Sequence, residues 1–131
     1  MPMIQHDLPQ GSAAWHEHRA AHFNASDAPA MMGCSPYKTR SELLHEAATG
    51  ITPHVDADTA YRFEAGHRFE QLARPLAEAI LGEDLFPVVG TDAEGWLSAS
   101  FDGITMDERV AFEHKTLNAE LGVCAAEPGS Y

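Results

Sequence analysis

The feature that most constrains this chain is a change of period at Gly82. Before it apolar residues recur at helical spacing, and after it they fall into short extended runs separated by turn residues. Across 60–81, Phe63, Phe69, Leu72, Leu76, Ala77, Ile80 and Leu81 keep near-helical spacing. Pro75 is expected to kink that helix or split it, because proline lacks an N–H and crowds the carbonyl four residues back. Beyond Gly82, the runs 85–89, 96–105 and 109–116 predict three strands in a meander, divided by 90–95 and 106–108. Helices first and strands afterwards predict an α+β fold, a small, mainly antiparallel sheet with the long helix packed over one face.

Upstream, 1–10 carries two prolines and no period, and Gly11-Ser12 caps a helix running to about 21. Asn24 to Asp27 reads as a turn in which Ser26 or Asp27 caps a short helix, 28–32, stopped by Gly33. Ser41 caps a third helix ending at Gly50, and a polar linker, 51–58, follows. The stretch 118–131 shows no period. The 131 residues suit one domain, 1–131. Three strands with a bare edge make a thin core, so the chain is expected to stop short of its natural C-terminus or to pair with another subunit.

The formal charge of -12, with 8 Lys and Arg against 20 Asp and Glu, opposes non-specific affinity for nucleic acid. A role on DNA therefore requires the few cations to converge on one cleft and a metal to neutralise the central carboxylates. Cys34 and Cys124 have no C-x-x-C spacing, which points away from disulfides and cysteine-rich zinc sites. No leader and no apolar run of about 18 residues is present, so the expected location is cytoplasmic, with no membrane partner.

The chemistry concentrates in Ser100-Phe101-Asp102-Gly103 and Glu113-His114-Lys115, with ten residues between Asp102 and Glu113. Period-2 geometry puts Glu113 and Lys115 on one strand face. A turn centred between Asp107 and Glu108 sets Asp102 opposite Glu113, with Cβ atoms ~5 Å apart. Two such carboxylates repel unless a cation lies between them or one is protonated. Hard oxygen donors with open positions suit Mg2+ or Mn2+. Lys115 can orient a water or stabilise developing charge. The pattern is short, and a solvated hairpin of surface charges satisfies it equally.

Other motifs occur in order with it: Gln10-Gly11-Ser12 with Trp15 and Arg19, Asn24-Ala25-Ser26-Asp27-Ala28, Gly33-Cys34-Ser35-Pro36-Tyr37-Lys38-Thr39, and Gly66-His67-Arg68-Phe69-Glu70. From about Gln10 to Asn118 this series resembles the lambda-type (YqaJ-like) viral recombinase exonucleases of the PD-(D/E)XK nuclease superfamily. The resemblance implies a restriction-endonuclease-like core in which Asp102, Glu113 and Glu70 hold Mg2+ or Mn2+, together with the backbone carbonyl of His114. Lys115 then assists the attacking water, and Arg19 and Ser26 hold the 5′-phosphate of a DNA end. A guanidinium fork and a hydroxyl or backbone amides at a helix start suit phosphate. It further implies 5′-to-3′ degradation of one strand of linear duplex, a trimer, and a phage single-strand annealing protein as partner. The alternatives are a catalytically silent module that binds DNA ends or a recombination partner, and a related endonuclease.

Each implied role has a plainer rival. Glu70 follows core-like Phe69 and can face solvent, Arg19 can cover apolar surface with its stem, and Ser26 can be a simple cap. Trp15 and Tyr37 read as core or loop anchors rather than base-stacking platforms. Lys38 can touch the DNA backbone or stand beside the next helix. His18 and His22 share a helix face near His16-Glu17, but no third ligand for zinc is evident.

Overall fold

The computed structural model describes residues 2–51 and 54–116. The stretch 118–131 lies outside the described residues, as does part of the 51–58 linker. The elements are β1 (Ile4–His6), α1 (Ala13–Ala20), β2 (Phe23–Asn24), a 3-10 turn (Ala25–Asp27), α2 (Ala28–Met31), α3 (Arg40–Thr49), α4 (Ala57–Leu81), β3 (Phe86–Thr91), β4 (Leu97–Ile104) and β5 (Ala111–Phe112). The fold is α+β, as the change of period at Gly82 predicts.

Among the described residues the sheet has five strands rather than three. β1 pairs antiparallel with β3, and β2 pairs parallel with β4. β3 and β4 are antiparallel, as are β4 and β5. Both additional strands are three residues or fewer, too short for a period of two to register, and β1 lies between Pro2 and Pro9. They join the sheet by pairing with the longer β3 and β4. The predicted run 109–116 contributes only Ala111–Phe112 as strand, and 113–116 continues without ladder bonds.

Helix ends follow their caps. Ser12 Oγ accepts from the Trp15 N–H at the start of α1. α3 begins two residues before expectation, because its cap is Thr39, whose Oγ1 accepts from the Glu42 N–H, and not Ser41. Asp56 Oδ1 caps α4 at the Thr59 N–H, 2.8 Å away, and Gly82 stops it at φ 74°. α4 is one continuous helix through Pro75. A single interior proline costs about 3 kcal/mol, which 25 residues capped at both ends absorb.

α4 is turned opposite to expectation. Phe63, Phe69, Leu72, Leu76 and Ile80 are exposed, whereas Glu70 is buried, with Ala73, Arg74, Ala77 and Glu78 half-buried. Both stripes have the same helical period, so periodicity cannot say which one meets the sheet. Leu85, Val89 and Ile104 form the buried apolar centre beside β3 and β4, with Ala30 and Leu43 buried on α2 and α3.

At Gly103 this centre leaves no room for a side chain. A Cβ there would lie 2.9 Å from Leu85 Cβ, an atom that cannot swing aside without its backbone. Gly103→Ala is expected to destabilise the chain by about 1–3 kcal/mol through overpacking. Urea denaturation measures this, and an unchanged midpoint would contradict the packing.

Candidate active site

The β4–β5 hairpin closes on Thr105, whose N–H donates to the Val110 carbonyl at 3.0 Å and whose hydroxyl donates to Asp107 Oδ1 at 2.7 Å. Glu108 takes positive φ at 59°, and the turn is centred between Asp107 and Glu108, as the sequence predicts. The ladder pairs Gly103 with Phe112 and Ile104 with Ala111. Continuing this register by one residue sets Asp102 opposite Glu113. The His114 N–H donates to Asp102 Oδ2 at 2.8 Å, so the backbone group of His114 that meets Asp102 is its amide.

Asp102 also lies at an irregularity. On the other side of β4, Val88 pairs with Phe101 and Phe86 with Ile104, so the single residue Pro87 stands across from Asp102 and Gly103. Proline has no N–H to give the ladder and is tolerated within a sheet at such bulges. The Asp102 carbonyl accepts instead from Arg74 Nε of α4, at 2.9 Å.

The same guanidinium reaches Glu70: Arg74 Nη2 donates to Glu70 Oε1 at 2.5 Å. Glu70 is only 6% exposed. Burial pushes its carboxyl above the usual carboxylate range, the charge of Asp102 pushes it further, and Arg74 and His67 pull back in part. His67 Nδ1 lies 3.5 Å from Glu70 Oε2, and among the described residues this buried nitrogen has no hydrogen-bond partner. A Cβ on Gly66, one turn before Glu70, would stand 3.8 Å from Thr116 Oγ1, so the segment carrying Lys115 passes beside this part of α4. Arg74 lies outside the motifs, and His67, though within one, carries no implied role. The spacing of Glu70 and Arg74 at i, i+4 was the available signal.

Lys115 Nζ donates to Glu113 Oε1, and both side chains are largely exposed, at 75% and 56%. The acid and amine are therefore neighbours, as the period-2 argument expects, although 113–115 is not strand. Glu70 and Asp102 face one another electrically, while Glu113 points to solvent with its lysine. Among the described residues, no three His, Cys, Asp or Glu side chains form a group able to hold a metal ion. The donors nevertheless fit Mg2+ or Mn2+. Magnesium is commonly bound by one or two carboxylates and keeps several waters, and a second acid beside Glu70 gives it the required oxygen chemistry.

The two residues expected at the DNA end also meet. Arg19 Nη2 donates to Ser26 Oγ at 2.9 Å, and its guanidinium carbon stands 4.7 Å from the Trp15 ring centroid. Trp15 is itself anchored, its Nε1 donating to Ser100 Oγ of β4 at 3.1 Å. Asn24 Nδ2 donates to the Arg19 carbonyl at 2.8 Å and fixes the turn before Ser26. Among the described residues Arg19 is not paired with a carboxylate, whereas Lys38 is held by Glu46 at 2.7 Å. Tyr37 is 93% exposed and anchors nothing, contrary to expectation. His18 stacks on His22 with centroids 4.0 Å apart, and His6 adds a third ring 5.1 Å from His18. Burial, then the charges of His22 and His6, lower the His18 pKa. These rings are engaged with Ser98, Thr91 and the His18 carbonyl rather than arranged about an ion.

Both groups of residues adjoin β4. Asn24, in the strand that leads into the Ser26 turn, pairs with Ser98, four residues before Asp102, or roughly 13 Å along an extended strand. None of the described helices is long and apolar enough to cross a membrane.

No curated protein matches the chain. A family model described as YqaJ-like viral recombinase domain matches residues 14–126, a span that includes Arg19, Ser26, Glu70, Asp102, Glu113 and Lys115. This chain belongs to the YqaJ-like viral recombinase family, a family of phage recombination nucleases.

Proposed function

We propose that the chain is a Mg2+- or Mn2+-dependent DNA exonuclease with a PD-(D/E)XK core, degrading linear duplex from the 5′ end. The observation that carries this reading is Glu70, an acid buried beside a second acid, Asp102, at an energetic disadvantage that a cation would relieve. The bound ion would neutralise these acids and polarise the scissile phosphate. Asp102 and Glu70 hold it, with Glu113 joining across the hairpin. Lys115, beside Glu113, would orient the attacking water or stabilise charge developing on the phosphate. Arg19 and Ser26, already in contact, receive the terminal 5′-phosphate. Assembly as a trimer and work beside a single-strand annealing protein belong to the same reading.

The test compares nucleotide release from linear duplex bearing a 5′-phosphate or a 5′-hydroxyl with release from circular duplex, each with Mg2+ and with chelator. The expected result is metal-dependent release from linear DNA, fastest with the phosphate. In Arg19→Ala the preference for the phosphate should shrink about tenfold to a hundredfold, matching a hydrogen bond to a charged group worth 1.5–3 kcal/mol. Release from circular DNA would instead identify an endonuclease.

One observation favours a second reading. Glu113 and Lys115 neutralise each other in solvent and, among the described residues, leave Glu70 and Asp102 without a third donor. A catalytically silent module that binds DNA ends would have this arrangement permanently, and it would retain linear DNA without releasing nucleotides.

A further inference from the structure

We propose that Arg74 is a positioning residue, whose single guanidinium fixes the helix acid Glu70 and the strand acid Asp102 in the relative placement that one divalent ion requires. The inference rests on the nuclease reading above and names the device that sets its geometry. Arg74 Nη2 holds Glu70 Oε1 at 2.5 Å and Arg74 Nε holds the Asp102 carbonyl at 2.9 Å. The side chain is 15% exposed, so water competes little for these bonds.

Each partner has a reason to need this donor. Asp102 stands at the bulge across from Pro87, where the ladder offers its carbonyl no proline N–H. Glu70 is buried, and a carboxylate taken out of water needs a donor in its place. Arg74 follows Glu70 by one helical turn, so both project from the same side of α4. Because Glu70 Oε1 is committed to Arg74, Oε2, which has His67 Nδ1 3.5 Å away, is the oxygen that can turn to a ligand.

The planar fork matters as well as the charge. Nε and Nη2 lie at a fixed distance and angle on one rigid group, so holding Glu70 at one and Asp102 at the other fixes α4 against β4. A lysine carries the same charge but makes no such paired, directed contact.

The test measures Mn2+ binding by the loss of the free-ion EPR signal, in the parent, Arg74→Ala, Arg74→Lys and Asp102→Asn. Outer-shell partners of metal ligands change affinity by about 10- to 100-fold. The concentration for half-saturation should therefore rise at least about tenfold in Arg74→Ala, and Arg74→Lys should not restore it. Parent-like affinity in a folded Arg74→Ala overturns the proposal, and full rescue by lysine reduces the role to charge and overturns it equally. If the variants do not fold, the parent decides. Added Mg2+ should shift the Arg74 Nε–H resonance together with the His114 amide, and an unmoved Arg74 signal beside a moving His114 overturns the inference. Equal Mn2+ binding by the parent and Asp102→Asn overturns the nuclease reading itself, and this inference falls with it.

Discussion

Lys115→Ala is expected to slow nucleotide release from 5′-phosphorylated linear duplex by about 100- to 1,000-fold, the usual loss when one donor aimed at developing charge is removed. The stability of the protein should hardly change. Among the described residues Lys115 bonds to Glu113 alone, both side chains are exposed, and surface substitutions of this kind stay within about 0.5 kcal/mol. The two readouts together make the prediction specific: a large kinetic loss with an unmoved melting temperature. Mn2+ affinity should also stay near the parent value, because the amine is not a ligand. A variant that releases nucleotides within a few-fold of the parent would remove Lys115 from the chemistry. Weakened metal binding would place it in the site by a different route, as a group that orders Glu113.

The register that underlies this prediction was legible from residues alone. The turn Asp107-Glu108 and a period of two were enough to place the Gly103–Phe112 pair, one residue short of Asp102 and Glu113, and to set Lys115 beside Glu113, because hairpin pairing is set by local turn chemistry. Other features were not legible, for reasons that can be named. β1 and β2 are too short for any period to show, and they become strands through partners distant in sequence. The orientation of α4 was misread because Phe69, Leu72 and Leu76 make the stronger apolar stripe, while Glu70 and Arg74 occupy the face toward the sheet. Hydrophobic pattern assigns the inner face to apolar residues by default, and a face chosen to bury an acid and its arginine violates that default. Such violations concentrate where a site sets local needs above stability.

The contact of Arg19 with Ser26 was implied by resemblance and not by spacing, and the structure supplies a local cause. The α1 helix ends after Arg19 and Ala20, Asn24 ties the returning chain to the Arg19 carbonyl, and Ser26 follows in the 3-10 turn. Trp15, one turn before Arg19, holds the guanidinium from its other side.

Glu70→Gln should separate stability from function more sharply than any other substitution. Burial and the charge of Asp102 raise the Glu70 carboxyl above its ordinary 4.5, so the folded chain binds that proton more tightly than the unfolded chain. The sign follows: as pH rises from the ordinary value through the raised one, the folded state alone is forced to release a proton it prefers, and stability falls. The penalty grows until the pH has passed the raised value. Gln keeps an oxygen for Arg74 at nearly the same shape but carries no charge toward Asp102. Metal-free Glu70→Gln should therefore melt above the metal-free parent at pH 7, and the difference should close as the pH falls toward 4.5. Saturating Mn2+ should reverse the order, because binding to the native state raises only the parent's stability appreciably. Nucleotide release should meanwhile drop by about 100-fold or more, since a ligand matters at least as much as the outer-shell partners that orient it. A variant less stable than the parent without metal would show that the bond to Arg74 outweighs burial and repulsion. Undiminished release would leave the buried acid without a part in the chemistry, and with it the strongest reason to read this helix and hairpin as one site.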